Sequence, residues 1–495
     1  MKEKKEKFTL FNFRYFTYLL LFCASGVALA TLLYQYVLAD YIVLILSGIA
    51  ILFVSLFLGK KGIKLCTFIL AFAIFYLSSI GVLSYRVKGI EEIKKDFLEV
   101  KIEFISSDKS VVHCSFDMGE ARLLLVDDIA LREGEVLLLS DVRINSSSVL
   151  NEDGSFNTYA LTQNKRFEIE FSEIYEIRGF YPTISQTIRS SVKEATKDLP
   201  SSTGGVITAL LTGDKYGIDP SVYTDYKHSG IAHVLAVSGL HVVFMCSAVD
   251  FLLKKFKVKK KTRAFLSIPV LFIFSACCSF APSVIRASLM TSLAKIIPAI
   301  SRKRYDTLSV MSLSAIILLA TNPLNLINYG FALSYASVFG IVAFGNRIKA
   351  KLDFLPRFLS ESLSTSTAVS ITTFPLCVLF FGEVSILSFL SNIIVLPILA
   401  LFYGIIFGVA IIGAIFPFLS VIIAPLCVVI AFINTIASVI GGLSFGIVRA
   451  VAPVWILIAY YICVVLLSNY AMMKKEYKIA TFCMLIAVIL IWLVI

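Results

Sequence analysis

Long apolar runs recur along this chain, and no other feature restricts its fold so much. About 18 residues or more with few charges suffice to cross a bilayer as a helix. Inside lipid, only helices and closed barrels satisfy their own backbone groups. Runs of this kind lie near Tyr15 to Leu38, Tyr41 to Leu58, Leu65 to Val82 and 231–253. Others lie near 264–280, 284–300, 307–321, 327–345, 358–381, 387–416, 418–442, 453–471 and 479–495. They predict about twelve to thirteen crossings or part-crossings. The first run follows the basic segment Met1 to Lys7 and imitates a secretion signal; it is too long and no small-residue cleavage site follows, so it reads as the first span. Hydrophobic residues make up 58% of the chain, too many for an ordinary soluble protein.

One stretch breaks the pattern. From Gly89 to Arg178 apolar and polar residues alternate along Phe97 to Ile105, Ser110 to Phe116, Ala121 to Val126, Glu135 to Ile144 and Phe167 to Ile177, with Gly, Asp, Asn and Ser between them. Five short strands suit a small OB-like barrel, and a small sandwich would give the same pattern. The fold class is therefore a polytopic α-helical membrane protein with an inserted small all-β (OB-like) extracytoplasmic domain. The predicted order is a three-helix membrane segment (1–88), the OB-like domain (89–180), an interfacial amphipathic helix (181–200) with Ile184, Ile188, Val192 and Ala195 at helical spacing, and a transmembrane domain (201–495).

Charge separates these parts. The whole chain carries +12. From Gly89 to Arg178, ten Lys and Arg against nineteen Asp and Glu give −9, which leaves +21 for the remainder. The excess sits in the N-terminus, Lys60 to Lys64, Lys254 to Arg263, Arg302 to Arg304, Arg347 to Arg357 and Lys474 to Lys478. By the positive-inside rule these belong in the cytoplasm. The N-terminus is then cytoplasmic, the β domain lies outside, and the C-terminus ends outside. This topology accounts for the basic balance without nucleic acid. The acidic β domain argues against assuming that its barrel binds nucleic acid, although a local basic groove stays compatible with the count.

Three of the four histidines crowd into one apolar stretch, His228 to Val242, which also holds the pairs Ser229-Gly230 and Ser238-Gly239. Glycine and serine weaken a helix on either side of a short core, so a broken or re-entrant helix lining a cavity is expected here. A packing role for each histidine competes with a working one. The ten cysteines show no CxxC pair and no Cys/His metal spacing, and Cys277-Cys278 is vicinal. No GxxxxGK[ST] phosphate loop occurs. No cofactor is expected.

The histidine stretch and its neighbours resemble a known signature. Ala209 to Pro220 (ALLTGDKYGIDP), continuing through Tyr226 to Val242 (YKHSGIAHVLAVSGLHV), is similar to the ComEC competence family, the inner-membrane DNA uptake channels of transformable bacteria. Ala281 to Met290 (APSVIRASLM), Asn322-Pro-Leu with Gly330 to Gly340, and Thr372 to Leu376 with Asn392 to Pro397 resemble it in the same order. So do Leu131 to Glu135 and Asn151 to Tyr159 of the β domain. The proline usual after that asparagine is missing. Many members carry a C-terminal metallo-β-lactamase-like domain; this sequence has no HxHxDH cluster, so a short form is expected, any nuclease would be a separate protein, and the chain itself is not expected to be an enzyme. The family's outer domain can hold a disulfide, but Cys114 is the sole cysteine between Gly89 and Arg178.

The resemblance implies a channel for single-stranded DNA in the cytoplasmic membrane, working with membrane lipid, an outer DNA receptor, a separate nuclease, a cytoplasmic ATPase motor and single-strand-binding proteins. A homo-oligomer is compatible with it. Residues 201–495 would be the channel domain. Phosphates crossing a bilayer need donors and positive charge in place of water. Arg286, Lys215, His228, His233, His241 and Ser238 are the candidates for that path. An ion pair between Arg286 and Asp214 is the competing account of the arginine. Asp214, Gly213, Gly230, Gly239 and Pro282 would shape the helix breaks. Pro375 and Pro397 would kink spans, with Asn392 satisfying freed backbone groups. Ala332, Ala336 and Gly340 form a small-residue stripe for helix packing. The alternatives are an intramembrane metal-dependent hydrolase built on Asp214, His228, His233 and His241, whose spacing lacks the HExxH pattern, and a small-solute transporter, for which no inverted repeat is visible.

Overall fold

The computed structural model describes residues 15–33, 59–87, 93–106, 112–117, 119–123, 131–146, 165–196, 199–278, 280–301, 306–415, 426–443, 446–450, 453–471 and 473–494. The expected span at 41–58, the basic N-terminus, Arg302 to Arg304 and the Asn151 to Tyr159 motif lie outside these residues. The chain opens with α1 (Tyr15–Leu33) and α2 (Gly59–Val87), which pair with each other. Their apolar faces meet through Phe22 and Phe68, stacked at 5.1 Å.

The β domain follows as β1 (Ile93–Ile105), β2 (Val112–Phe116), β3 (Gly119–Leu123), β4 (Glu135–Ser146), β5 (Lys165–Glu170) and β6 (Glu173–Phe180). Pairings β1–β2, β2–β3, β3–β5, β5–β4 and β4–β1 close a ring, antiparallel except for β3–β5. Alternation turns Leu98, Val100, Ile102, Leu137, Leu139, Phe167 and Ile169 inward to fill it. Where one fifth strand was expected, Phe167 to Ile177, there are two. Both pair antiparallel with β4, and the register carries over from one to the other, Arg143 with Glu170 and Ser140 with Glu173. The interruption falls at Phe171 and Ser172, opposite Asp141, which is held at φ +46. The bulges come later, where the β4–β6 register shifts at Leu138/Leu139 and at Val136/Leu137, and bulges bend a strand. Among the described strands β6 pairs with β4 and is not part of the closing ring.

The helical part begins with α3 (Ile184–Thr196) and α4 (Ser201–Thr212), then α5 (Pro220–His228), α6 (Ala232–Leu235) and α7 (Gly239–Lys255). Next come α8 (Lys260–Cys277), α9 (Pro282–Ser301) and α10 (Thr307–Thr321). A 3₁₀ turn (Pro323–Ile327) leads into α11 (Tyr329–Gly340), which continues through a π-helical turn (Ile341–Gly345) to Lys351. The chain closes with α12 (Arg357–Phe381), β7 (Glu383–Ser385), α13 (Ser388–Ile415), α14 (Leu426–Gly441), β8 (Ile447–Arg449), α15 (Val454–Leu467) and α16 (Lys475–Val494). Four segments are long and apolar enough to cross a membrane: Pro282–Ile300, Tyr329–Lys351, Leu359–Phe381 and Ser388–Gly408. The protein is polytopic, with a small β domain inserted among its helices.

Lipid removes most of the hydrophobic drive between helices, so close backbone approach and hydrogen bonds must hold them. The stripe Ala332, Ala336, Gly340 meets that need. A Cβ on Gly340 would overlap the Ala368 carbonyl oxygen, and Thr372 Oγ1 donates to the Ala336 carbonyl at 2.7 Å. The two ends of the bundle differ. At one end Arg347 donates to the Leu467 carbonyl and Lys478 to that of Ser468. At the other, β7 pairs with β8, and Lys227 and Arg449 share Glu383.

Candidate functional site

The histidine stretch is a broken helix. Asp219 caps α5 by accepting from the Ser221 amide at 2.9 Å, with Pro220 at the first helical position. After Ser229, Gly230 turns the chain at φ +78. One helical turn, α6, follows before Val237, and Ser238 starts α7. Ser238 Oγ accepts from the Leu240 amide, and His241 Nδ1 accepts from the Ser238 amide at 2.9 Å. His241 thus completes a capping box. With Nδ1 accepting, the proton of the neutral ring sits on Nε2. That atom is buried and has no hydrogen-bond partner. The ring lies beside Tyr403, 4.7 Å between centroids.

Two helices, α13 and α9, grip the break. On one side, Ser391 Oγ donates to the Ser229 carbonyl at 2.8 Å, and a Cβ on Gly230 would overlap Ser388 Cβ. On another, Ser283 Oγ donates to the Val237 carbonyl at 2.6 Å, and a Cβ on Gly239 would stand 3.3 Å from Ala287 Cβ. Farther along α13, Tyr403 donates to the Leu210 carbonyl at 3.0 Å, near the C-terminus of α4 where the helix leaves carbonyls open. Gly213 ends α4 in the left-handed region, φ +82.

Arg286 projects from the same turn of α9 as Ser283 and Ala287. It is 3% exposed. Its Nη2 donates to the Gly330 carbonyl at 2.8 Å, and its Nε has no partner. No carboxylate among the described residues pairs with it. The expected partner, Asp214, instead takes Lys193 Nζ at 3.1 Å. Arg286 is therefore a buried guanidinium facing carbonyls and the Tyr335 phenol rather than an acid. A charge left in this state is costly unless an anion or water reaches it.

The other candidates scatter. Lys215 is partly buried in the connection after Asp214, where desolvation holds its ammonium below the ordinary lysine range. His228 is partly buried in the last turn of α5, and His233 is exposed on α6. Pro375 and Pro397 lie inside α12 and α13, and Pro282 opens α9. Asn392 Oδ1 is buried without a partner, and the carbonyl that Pro375 frees, that of Ile371, accepts from the Tyr460 hydroxyl at 2.8 Å.

Two features escaped the sequence. The first joins the β domain to the helices. Arg189 (3% exposed) donates to Glu133 at 2.9 Å and to the Glu103 carbonyl, and Lys193 spans Glu133 at 3.4 Å and Asp214 at 3.1 Å. Gln186 donates to the Ile102 and Glu103 carbonyls. The polar side of α3 thus docks on the barrel. The second is on α12. Nine of the fourteen residues from Ser360 to Thr373 are Ser or Thr, inside a candidate span. Thr365, Thr367 and Ser370 are exposed there. Neither these three nor Ser366 makes a side-chain hydrogen bond among the described residues. Ser/Thr density was the signal that could have revealed them.

No group of three His, Cys, Asp or Glu residues suited to a metal ion occurs among the described residues. A family model described as Competence protein matches residues 210–474. ComE operon protein 3 of Bacillus subtilis (strain 168) is 24% identical over 280 residues, 56% of this chain and 35% of that relative. The match thus spans about a third of the curated relative's length. No solved structure matches.

Proposed function

Since the chain belongs to the competence protein family, we propose that it is the channel through which single-stranded DNA crosses the cytoplasmic membrane during natural transformation. Arg286 carries the reading. A guanidinium buried in a membrane helix, with no acid beside it and Nε unpartnered, suits a phosphate arriving in the path. Unpartnered atoms able to donate recur around the broken helix, at His241 Nε2 and Ser385 Oγ. The open hydroxyls of α12 extend a polar surface along a second span. Such groups hold phosphates weakly enough to let each one leave.

The basic loops at 347–351 and 474–478 would face the cytoplasm, and the β domain would lie outside. An outer DNA receptor, a separate nuclease, a cytoplasmic motor and single-strand-binding proteins would complete the route. The metal-dependent hydrolase reading lacks a ligand cluster among the described residues: Asp214 is engaged by Lys193, and His241 by its capping box.

The test offers labelled duplex DNA to cells carrying wild type, a deletion, Arg286→Ala or Arg286→Lys. Surface-bound and nuclease-resistant internal DNA are scored separately, and membrane insertion is checked. The deletion should bind DNA and internalise none. Arg286→Ala should lower internal DNA by about 10-fold or more, the worth of one hydrogen bond to a charged group. Unchanged internalisation in the deletion strain, with no second copy of the gene, would refute the channel.

A further inference from the structure

The described β domain exposes large apolar side chains along β6 and its neighbour β1. Phe97 on β1, Tyr175, Ile177 and Phe180 on β6, and Tyr181 just beyond it are 51% to 66% exposed. Phe97 and Tyr175 meet edge to face, 5.2 Å between centroids. Exposed apolar side chains gathered in this way at the end of β6 mark a contact surface.

Its position says which contact. The Tyr181 amide donates to the Gly134 carbonyl at 2.7 Å, and the Tyr181 ring folds over Gly179, where a Cβ would stand 2.5 Å from Cε2. Four residues later, the Ser185 hydroxyl donates to the Ala276 carbonyl, one residue before the end of α8. Beyond its basic first turn, Lys260 to Arg263, α8 is uncharged from Ala264 to Cys277, a length of about 21 Å and most of the apolar thickness of a bilayer. With the basic turn toward one boundary, Ala276 lies toward the other, and four residues of chain place Tyr181 within about 14 Å of it. Phe272 and Phe280, both exposed, flank that same end of α8 with centroids 5.6 Å apart. Amphipathic aromatic rings concentrate at this level of a membrane.

Charge favours lipid over nucleic acid. Arg178 is bound to Glu99 at 2.8 Å and Glu176 at 3.5 Å, so the strand offers no basic groove along which bases could stack. We propose that Ile177, Phe180 and Tyr181 seat the β domain in the headgroup layer of the bilayer its own helices cross. The apolar end of β6 then continues the aromatic surface of α8. The barrel rests on the membrane rather than swinging above it.

The test uses the full chain in vesicles of phosphatidylethanolamine and phosphatidylglycerol, with W455F and W492F removing the native indoles. Tyr181→Trp is the probe and Glu120→Trp, exposed on β3, the control. Lipids brominated along the acyl chains should remove most of the Tyr181→Trp emission and little of the control's. Phe180→Trp serves as a second probe should Tyr181→Trp fail to fold. Emission untouched by brominated lipid and quenched by aqueous iodide would overturn the proposal. So would a response to added oligothymidine alone, which would make the face a nucleic-acid platform.

Discussion

Gly230→Ala should be among the most damaging single changes that add only a methyl group. Its φ of +78 is a conformation that L side chains adopt poorly, at about 1–2 kcal/mol. The added Cβ would also overlap Ser388 Cβ and stand 2.9 Å from Ser388 Cα and 3.1 Å from Ser385 Cβ. Backbone of α13 must move, and overpacking of this sort costs about 1–3 kcal/mol. The two effects together predict a loss of about 2–5 kcal/mol. Gly382 supplies the control. Its φ is +69 and a Cβ there would meet nothing within 4 Å, so Gly382→Ala should lose only the strain, about 1–2 kcal/mol. Both variants can be unfolded by heat or by dodecyl sulfate in one detergent and compared with wild type. DNA internalisation should fail in Gly230→Ala and persist in Gly382→Ala. Equal destabilisation would show that the Ser388 contact is not tight, and the account of the break gripped by α13 would fall.

Lys193→Met should loosen the β domain and the α4–α5 connection together, because one ammonium joins Glu133 to Asp214; hydrogen exchange should rise at 131–135 and 213–217 in parallel, and a rise at only one would refute the coupling. Tyr403→Phe leaves the Leu210 carbonyl without its donor and should cost about 1–3 kcal/mol, read by the same unfolding assay. The Lys227 hydrogen bond, aided by Arg449, holds the Glu383 carboxyl below its ordinary 4.5. Its stabilisation is whole above that value and is lost as pH falls through the lower folded one. Protection from exchange at 383–385 and 447–449, relative to the intrinsic rate at each pH, should therefore fall in acid, and Glu383→Gln should abolish that pH dependence. Burial, reinforced by Glu103, pushes the Cys114 thiol up to about 12, so maleimide at about pH 8 should label it only after unfolding; prompt labelling of the folded protein would contradict a closed barrel core.

The membrane class, the β insertion and the helix break were legible because each rests on local pattern. Apolar runs of span length, period-two alternation and paired Ser-Gly breaks are properties of neighbouring residues. The fifth strand shows where locality fails. Its alternation reads straight through Phe171 and Ser172, and only the backbone opposite, with Asp141 at φ +46, marks the interruption. Arg286 was legible as a charge inside an apolar run, although its surroundings were not. Hydropathy assigns a cost to a buried guanidinium without saying what meets it. The need expected of Asn392 is met from elsewhere, because packing brings Tyr460, 89 positions away, to the Ile371 carbonyl that Pro375 frees.

The amino-acid sequence by itself determined which segments can enter lipid, which cannot, and where a helix must stop, since transfer energies and backbone propensities belong to residues and their near neighbours. Tertiary structure alone decided which charge meets which. Arg189 finds Glu133 56 positions away, and Lys193 takes the Asp214 that might have gone to Arg286. The pairing follows from how the barrel and α3 settle on the helices. An ion pair needs approach to within a few ångströms, and that distance is set by packing between elements far apart in the chain.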